Sequence, residues 1–243
     1  MAVKKLIVGN WKMNLDAVGA RDLATRLSEM TDDSLREVAE VVVCPTFVHL
    51  PMVSQVLLAS TIKLGAQNCA PRGLSALTGE VASQQLEEFG CAYVLLGHSE
   101  RRALLGESSA TVAEKVRHIQ DHTRLTPVVC VGESLDVREQ GGEKAFVKAQ
   151  LMDSLPEGVD HTRLVVAYEP VWAIGTGKTA SLDDIAAMHG FLADLLPEVT
   201  LLYGGSVKVD NAADILKTNH VDGVLVGGAS LDADAFERII RAA

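Results

Sequence analysis

Eight short apolar runs punctuate the chain: Leu6–Val8, Val41–Cys44, Ile62–Ala66, Tyr93–Leu96, Val128–Val131, Leu164–Tyr168, Leu201–Tyr203 and Val224–Val226. Apolar residues follow one another in these runs instead of alternating with polar ones, the pattern of strands covered on both faces, as in a parallel sheet. The runs begin at positions 6, 41, 62, 93, 128, 164, 201 and 224, and each interval is long enough for one crossover helix. The intervals carry the helical period: Leu23, Leu27 and Met30 in the first, Ile185, Met188, Leu192 and Leu195 in the sixth. Asp16, Ser181 and Asn211 stand where N-caps are expected, and Asp183 and Asp184 place acids in a first turn, where the helix dipole favours them. Strand-then-helix units recur across residues 1–243 without a linker-like break, which predicts a single (β/α)8 barrel of eight parallel strands. An open doubly wound sheet is the alternative.

With 243 residues, 48% of them apolar, the chain can bury a large core without disulfides or metals. Its formal charge of −10 argues against general affinity for nucleic acid or an anionic membrane, so attraction for an anionic ligand must be local. Cys44, Cys69, Cys91 and Cys130 form no C-x-x-C pair, which fits reduced thiols in a cytoplasm. The opening residues are too short an apolar run for a signal peptide, and no stretch approaches the roughly 18 apolar residues of a spanning helix.

In a parallel barrel the chemistry gathers just after the strands. Those positions hold Asn10-Trp11-Lys12, Cys44-Pro45, Gln67-Asn68, His98-Ser99-Glu100-Arg101-Arg102, Gly132-Glu133, Glu169-Pro170, Gly204-Gly205-Ser206 and Gly227-Gly228. Either glycine doublet alone reads as a turn; together, after the last two runs, they predict backbone N–H groups cradling a phosphate. Glu169 ends a strong run, with Pro170 fixing the next φ, and is the candidate general base. Pro170, Val171, Trp172, Ala173, Ile174, Gly175, Thr176, Gly177, Lys178, Thr179 and Ala180 read as an apolar lid over a small ligand, or as a loop packed on the rim. His98 precedes a short helix start, whose positive dipole end opposes an imidazolium; it is either an active group or a hydrogen-bonded structural one. Lys12 follows the first buried strand beside Trp11, where an anion could use its charge.

Four other motifs fail. Gly177-Lys178-Thr179 ends like a phosphate-binding P-loop, but the required first glycine falls at Trp172; the same glycines fit a loose dinucleotide pattern without its acidic partner. His118 and His122 sit one helical turn apart, yet Ile119 stands where a zinc protease has glutamate. His98-Ser99-Glu100 has deaminase-like spacing without a P-C-x-x-C partner. No metal site is expected.

Asn10–Asn14, Gly97–Arg102, Ala167–Ala180, Tyr203–Val207 and Val226–Ser230 together resemble the triosephosphate isomerase family, in order and over the whole chain. The resemblance implies interconversion of dihydroxyacetone phosphate and glyceraldehyde 3-phosphate through an enediolate, without cofactor or metal. It makes Glu169 the base, neutral His98 and Lys12 the groups that polarise substrate oxygens, and Asn10 a positioning group. Gly175, Ser206, Gly227 and Gly228 would offer N–H groups to the phosphate, Glu100 would partner Lys12, and Cys130 would pack beside Glu169 without reacting. The lid would exclude water and block phosphate elimination. A homodimer is implied, in which the segment from Asn68 to Val81 reaches into the twin subunit and brings Thr78 near its site. Leu77 replaces the aromatic residue usual before that threonine, and Cys69 is a less common choice. Against the isomerase stand a Schiff-base aldolase using Lys12, a non-catalytic phosphometabolite-binding barrel and an interaction protein built on the same scaffold.

Overall fold

The computed structural model describes residues 4–30, 33–174 and 179–243. Strands β1 (Lys5–Asn10), β2 (Ala39–Cys44), β3 (Lys63–Ala66), β4 (Cys91–Leu96), β5 (Thr126–Val131), β6 (Val165–Tyr168), β7 (Thr200–Tyr203) and β8 (Gly223–Val226) pair in parallel in sequence order. β1 pairs with both β2 and β8, Gly9 lying opposite Val43 on one side and Val226 on the other, so the barrel is closed and the open-sheet alternative falls.

The unbroken apolar runs hide a period of two. Leu6, Val8, Val42, Cys44, Leu95, Val128, Cys130, Val165, Ala167, Leu202 and Leu225 fill the barrel interior. Their neighbours, such as Ile7, Val41, Val129, Val166, Leu201 and Val224, join the layer between sheet and helices. Helix Ala17–Met30 buries Ala20, Leu23, Ala24 and Leu27 there, and helix Leu182–Leu195 buries Ile185, Met188 and Leu192. Full burial of a Leu or Ile side chain stabilises by roughly 1.5–3 kcal/mol, so this outer layer is the larger source of stability. Met30 and Leu195 are half-buried at its edge.

Two expected caps form. Asp16 Oδ1 accepts the Gly19 N–H at 2.8 Å, and Ser181 and Asp184 bond reciprocally at 3.1 Å as a capping box. The third does not. Asn211 precedes helix Ala212–Lys217, but its side chain turns back, accepting from Lys208 N at 2.8 Å and donating to the Ser206 carbonyl at 3.0 Å. The loop after β7 offered better partners than the helix amides. β5 also starts earlier than its apolar run, with Thr126 and Pro127 paired to Tyr93 and Val94. No helix of the described residues is long and apolar enough to cross a membrane.

Candidate active site

The carboxyl ends of the strands enclose a cavity of about 340 Å³ lined by Asn10, Lys12, His98, Glu100, Glu169, Ile174, Ser206, Gly227 and Gly228 among others. Nine predicted positions from five strand ends and the lid thus meet in one place. Gly175, Thr176, Gly177 and Lys178 lie outside the described residues. Thr78 is exposed on a projecting segment that is closed at its base by Ala70 N–H donating to the Val81 carbonyl at 2.8 Å.

Glu169 is 1% exposed, continuing the inward face of β6. Backbone N–H of Ser99 donates to its Oε2 at 2.9 Å, while Oε1 lies 3.1 Å from His98 Nε2 with no hydrogen bond completed. Its strand neighbours make room only because they lack Cβ atoms. A methyl at Gly132 would sit 1.7 Å from the Glu169 carbonyl oxygen, and one at Gly204 would meet its Cγ at 2.9 Å. Cys130 packs alongside; burial first, then the charge of Glu169, raises its thiol pKa well above the ordinary value, so it stays protonated and unreactive.

His98 caps helix Ser99–Leu105, its Nδ1 accepting the Glu100 N–H at 3.2 Å. A ring that accepts at Nδ1 carries its hydrogen on Nε2, the atom facing Glu169 and the cavity. One helix turn therefore orients both groups: Ser99 N–H holds the carboxylate and Glu100 N–H sets the tautomer.

Lys12 adopts a left-handed backbone, φ 52°, a conformation costing about 1–3 kcal/mol for a residue with a Cβ unless its surroundings impose it. They do. Its N–H donates to Asn10 Oδ1 at 3.0 Å and its carbonyl accepts from Gln67 Nε2 at 2.8 Å, while Asn14 Nδ2 holds the Trp11 carbonyl at 2.7 Å. The strained turn sends Nζ to Glu100 Oε1 at 2.5 Å and carries Cε over Gly227, where an added methyl would touch it at 3.4 Å.

Two supports were not singled out from the sequence, although both follow strands. Glu133, fully buried after β5, accepts from Tyr168 Oη at 3.0 Å and Trp172 Nε1 at 2.8 Å, and its carbonyl accepts the Val171 N–H at 3.1 Å. The start of the lid segment, a single 3-10 turn over Val171–Ala173, is thereby tied to β5. Asn68, after β3, accepts from buried Lys115 at 2.7 Å, and Lys115 pairs with Glu107, which Arg101 also contacts at 2.8 Å. This network anchors the projecting segment. The rings of His118 and His122 lie 4.6 Å apart, tilted at 47°, and among the described residues no group of three metal-binding side chains forms.

A closed (β/α)8 barrel whose mouth holds a buried carboxylate, an imidazole and an ammonium beside glycine-rich loops defines a barrel built for acid–base chemistry. A sequence model of the Triosephosphate isomerase family matches residues 5–243. The triosephosphate isomerase of Rhodopirellula baltica is 44% identical over 255 residues, spanning 100% of this chain and 99% of that protein. That of Alcanivorax borkumensis is 44% identical over 249 residues, 98% of each. The crystal structure of the Bartonella henselae triosephosphate isomerase superposes with a TM-score of 0.88 at 34% identity, covering 99% of both chains. The chain belongs to the triosephosphate isomerase family, a family of isomerases.

Proposed function

We propose that the chain interconverts dihydroxyacetone phosphate and D-glyceraldehyde 3-phosphate through an enediolate. The observation that carries this reading is one cavity lined together by Glu169, His98 and Lys12 and by the loops of Gly204–Ser206 and Gly227–Gly228. Glu169 Oε1, free of hydrogen bonds, removes the proton from the carbon beside the carbonyl and returns it to the neighbouring carbon. The Nε2 hydrogen of His98 meets the oxygen on which charge develops, Lys12 balances that charge, and Asn10 holds Lys12 in its turn. Glu100 steadies the ammonium. Backbone N–H groups of Ser206, Gly227, Gly228 and Gly175 receive the phosphate. The segment Pro170–Ala180 closes as a lid, with Ile174 at the cavity, and keeps water from the intermediate. Ketose and aldose stand at the same oxidation level, so proton transfer alone completes the reaction.

Glyceraldehyde 3-phosphate incubated with the protein in deuterium oxide is expected to give dihydroxyacetone phosphate carrying solvent deuterium on carbon, with little free phosphate released. Binding without isomerisation would instead identify a storage or sensing barrel.

The working form we propose is a homodimer in the cytoplasm. Met13, Val48, Leu74, Leu77, Leu104 and Leu105 are exposed, and all lie in segments following the first four strands at the mouth end. An apolar set of this kind fits a second copy of the chain, with Thr78 close to the partner's cavity. All four cysteines are free and buried, in keeping with a reducing compartment. Light scattering should return the mass of two chains; a single-chain mass at micromolar protein rejects the dimer.

A further inference from the structure

We propose that Lys208 recruits the phosphate dianion to the cavity, an inference that rests on the isomerase reading above and adds a residue to it. Lys208 lines the cavity two positions beyond Ser206, at its phosphate end, with an exposed side chain. Its place relative to that end is fixed, since Asn211 holds the Lys208 N–H and the Ser206 carbonyl with the two ends of one amide. The misread cap of helix Ala212–Lys217 thus acquires a purpose: it fastens the lysine-bearing loop.

The charges around the cavity decide the argument. Its lining carries two ammonium groups, Lys12 and Lys208, and two carboxylates, Glu100 and Glu169. Lys12 is committed to Glu100 at 2.5 Å. Lys208 forms no ion pair among the described residues, and neighbouring Asp210 is not part of the lining. With His98 neutral the cavity is balanced; without Lys208 it would be negative, on a chain that already carries −10. A dianion would then meet repulsion at long range, before any backbone N–H could outweigh it, because the pull of oriented amides fades faster with distance than that of a full charge. An unpaired lysine at the mouth supplies the missing local attraction.

The experiment compares wild type with Lys208→Met, Lys208→Glu and Lys208→Arg. At an ionic strength of about 0.02 M, Lys208→Met is expected to lower kcat/KM for glyceraldehyde 3-phosphate about fivefold, mainly through KM, with Lys208→Glu worse and Lys208→Arg near wild type. The gap should close at about 0.3 M salt, where charges are screened within about 6 Å. The ratio of kcat/KM for the phosphorylated substrate to that for uncharged glyceraldehyde should fall by the same factor. Inorganic phosphate, titrated calorimetrically at low salt, should bind Lys208→Met more weakly than wild type whether or not either protein turns over. Equal phosphate binding by the two proteins overturns the proposal, as does a loss that persists at high salt or is shared by glyceraldehyde. Wild-type protein that binds phosphate through Lys208 but does not isomerise the triose rejects the isomerase reading alone.

Discussion

The two ends of the barrel both carry charge, yet they treat it differently. At the amino-terminal end, Glu40 meets Lys63 at 2.8 Å and accepts the Tyr93 hydroxyl, Lys5 Nζ donates to the Val221 carbonyl at 2.6 Å, and Asp222 accepts the Leu201 N–H at 2.9 Å. At the mouth, Trp11 Nε1, Glu133 Oε2, Glu169 Oε1 and Tyr203 Oη are buried without a hydrogen-bond partner; a fifth such atom, His189 Nε2, lies in the helix layer against Tyr168 and Tyr203. None of the amino-terminal groups just named is in that condition. Cavity size does not separate the ends, since a space of about 300 Å³ lies beside Lys4, Thr200 and Asp222. A buried polar atom without a partner costs stability, typically about 1–3 kcal/mol, and folded chains retain few of them. Their collection at one end marks where polar atoms are kept available to something that arrives later.

The largest test of this contrast exchanges one carboxylate at each end for its amide. Glu169→Gln is expected to lower kcat/KM by about 10²- to 10⁴-fold, the usual contribution of a general base, with little change in unfolding free energy. Glu40→Gln should behave in the opposite sense: activity within about twofold of wild type, and a stability loss of about 1 kcal/mol from its partly exposed contacts with Lys63 and Tyr93. Comparable losses of activity in both variants would dissolve the distinction between a working end and a supporting one.

How much of this was written in the sequence depends on how far apart the interacting residues are. Strands such as Val41–Cys44 announce themselves because both faces are apolar, and Glu169 and His98 because they follow such runs directly. Closure of the barrel is another matter: the pairing of Leu6 with Gly223 joins opposite ends of the chain, and no local pattern carries it. Glu133 was visible as a strand-end acid, but its purpose depends on Trp172, thirty-nine positions later. Asn211 stands at the N-cap position, but its oxygen takes the Lys208 N–H, three residues back, in place of a helix amide: a local competitor that cap statistics do not weigh. The left-handed turn at Lys12 likewise depends on Gln67, which reaches it from the loop after β3.

His189 offers the smaller test, and one that reports on the unpartnered atoms themselves. Its Nδ1 donates to the His220 carbonyl at 2.9 Å, leaving Nε2 as a buried lone pair between the rings of Tyr168 and Tyr203, centroids 6.1 and 6.4 Å away. Burial pushes its pKa down to about 4; the bond to the His220 carbonyl opposes that shift and the charge of His220 adds to it. In the unfolded chain the same ring takes a proton near pH 6.5. Between those values the unfolded state binds the proton and the folded state does not, so stability is full above about pH 6.5 and falls as pH drops toward 4. At pH 4.5 the loss due to this residue should be about 2–3 kcal/mol relative to neutral pH. His189→Gln keeps a donor for the His220 carbonyl and cannot take the proton, so its denaturant-derived stability should fall less over that range by this amount. Parallel pH profiles for the two proteins would mean that Nε2 finds a partner in solution, and that this buried lone pair is not open.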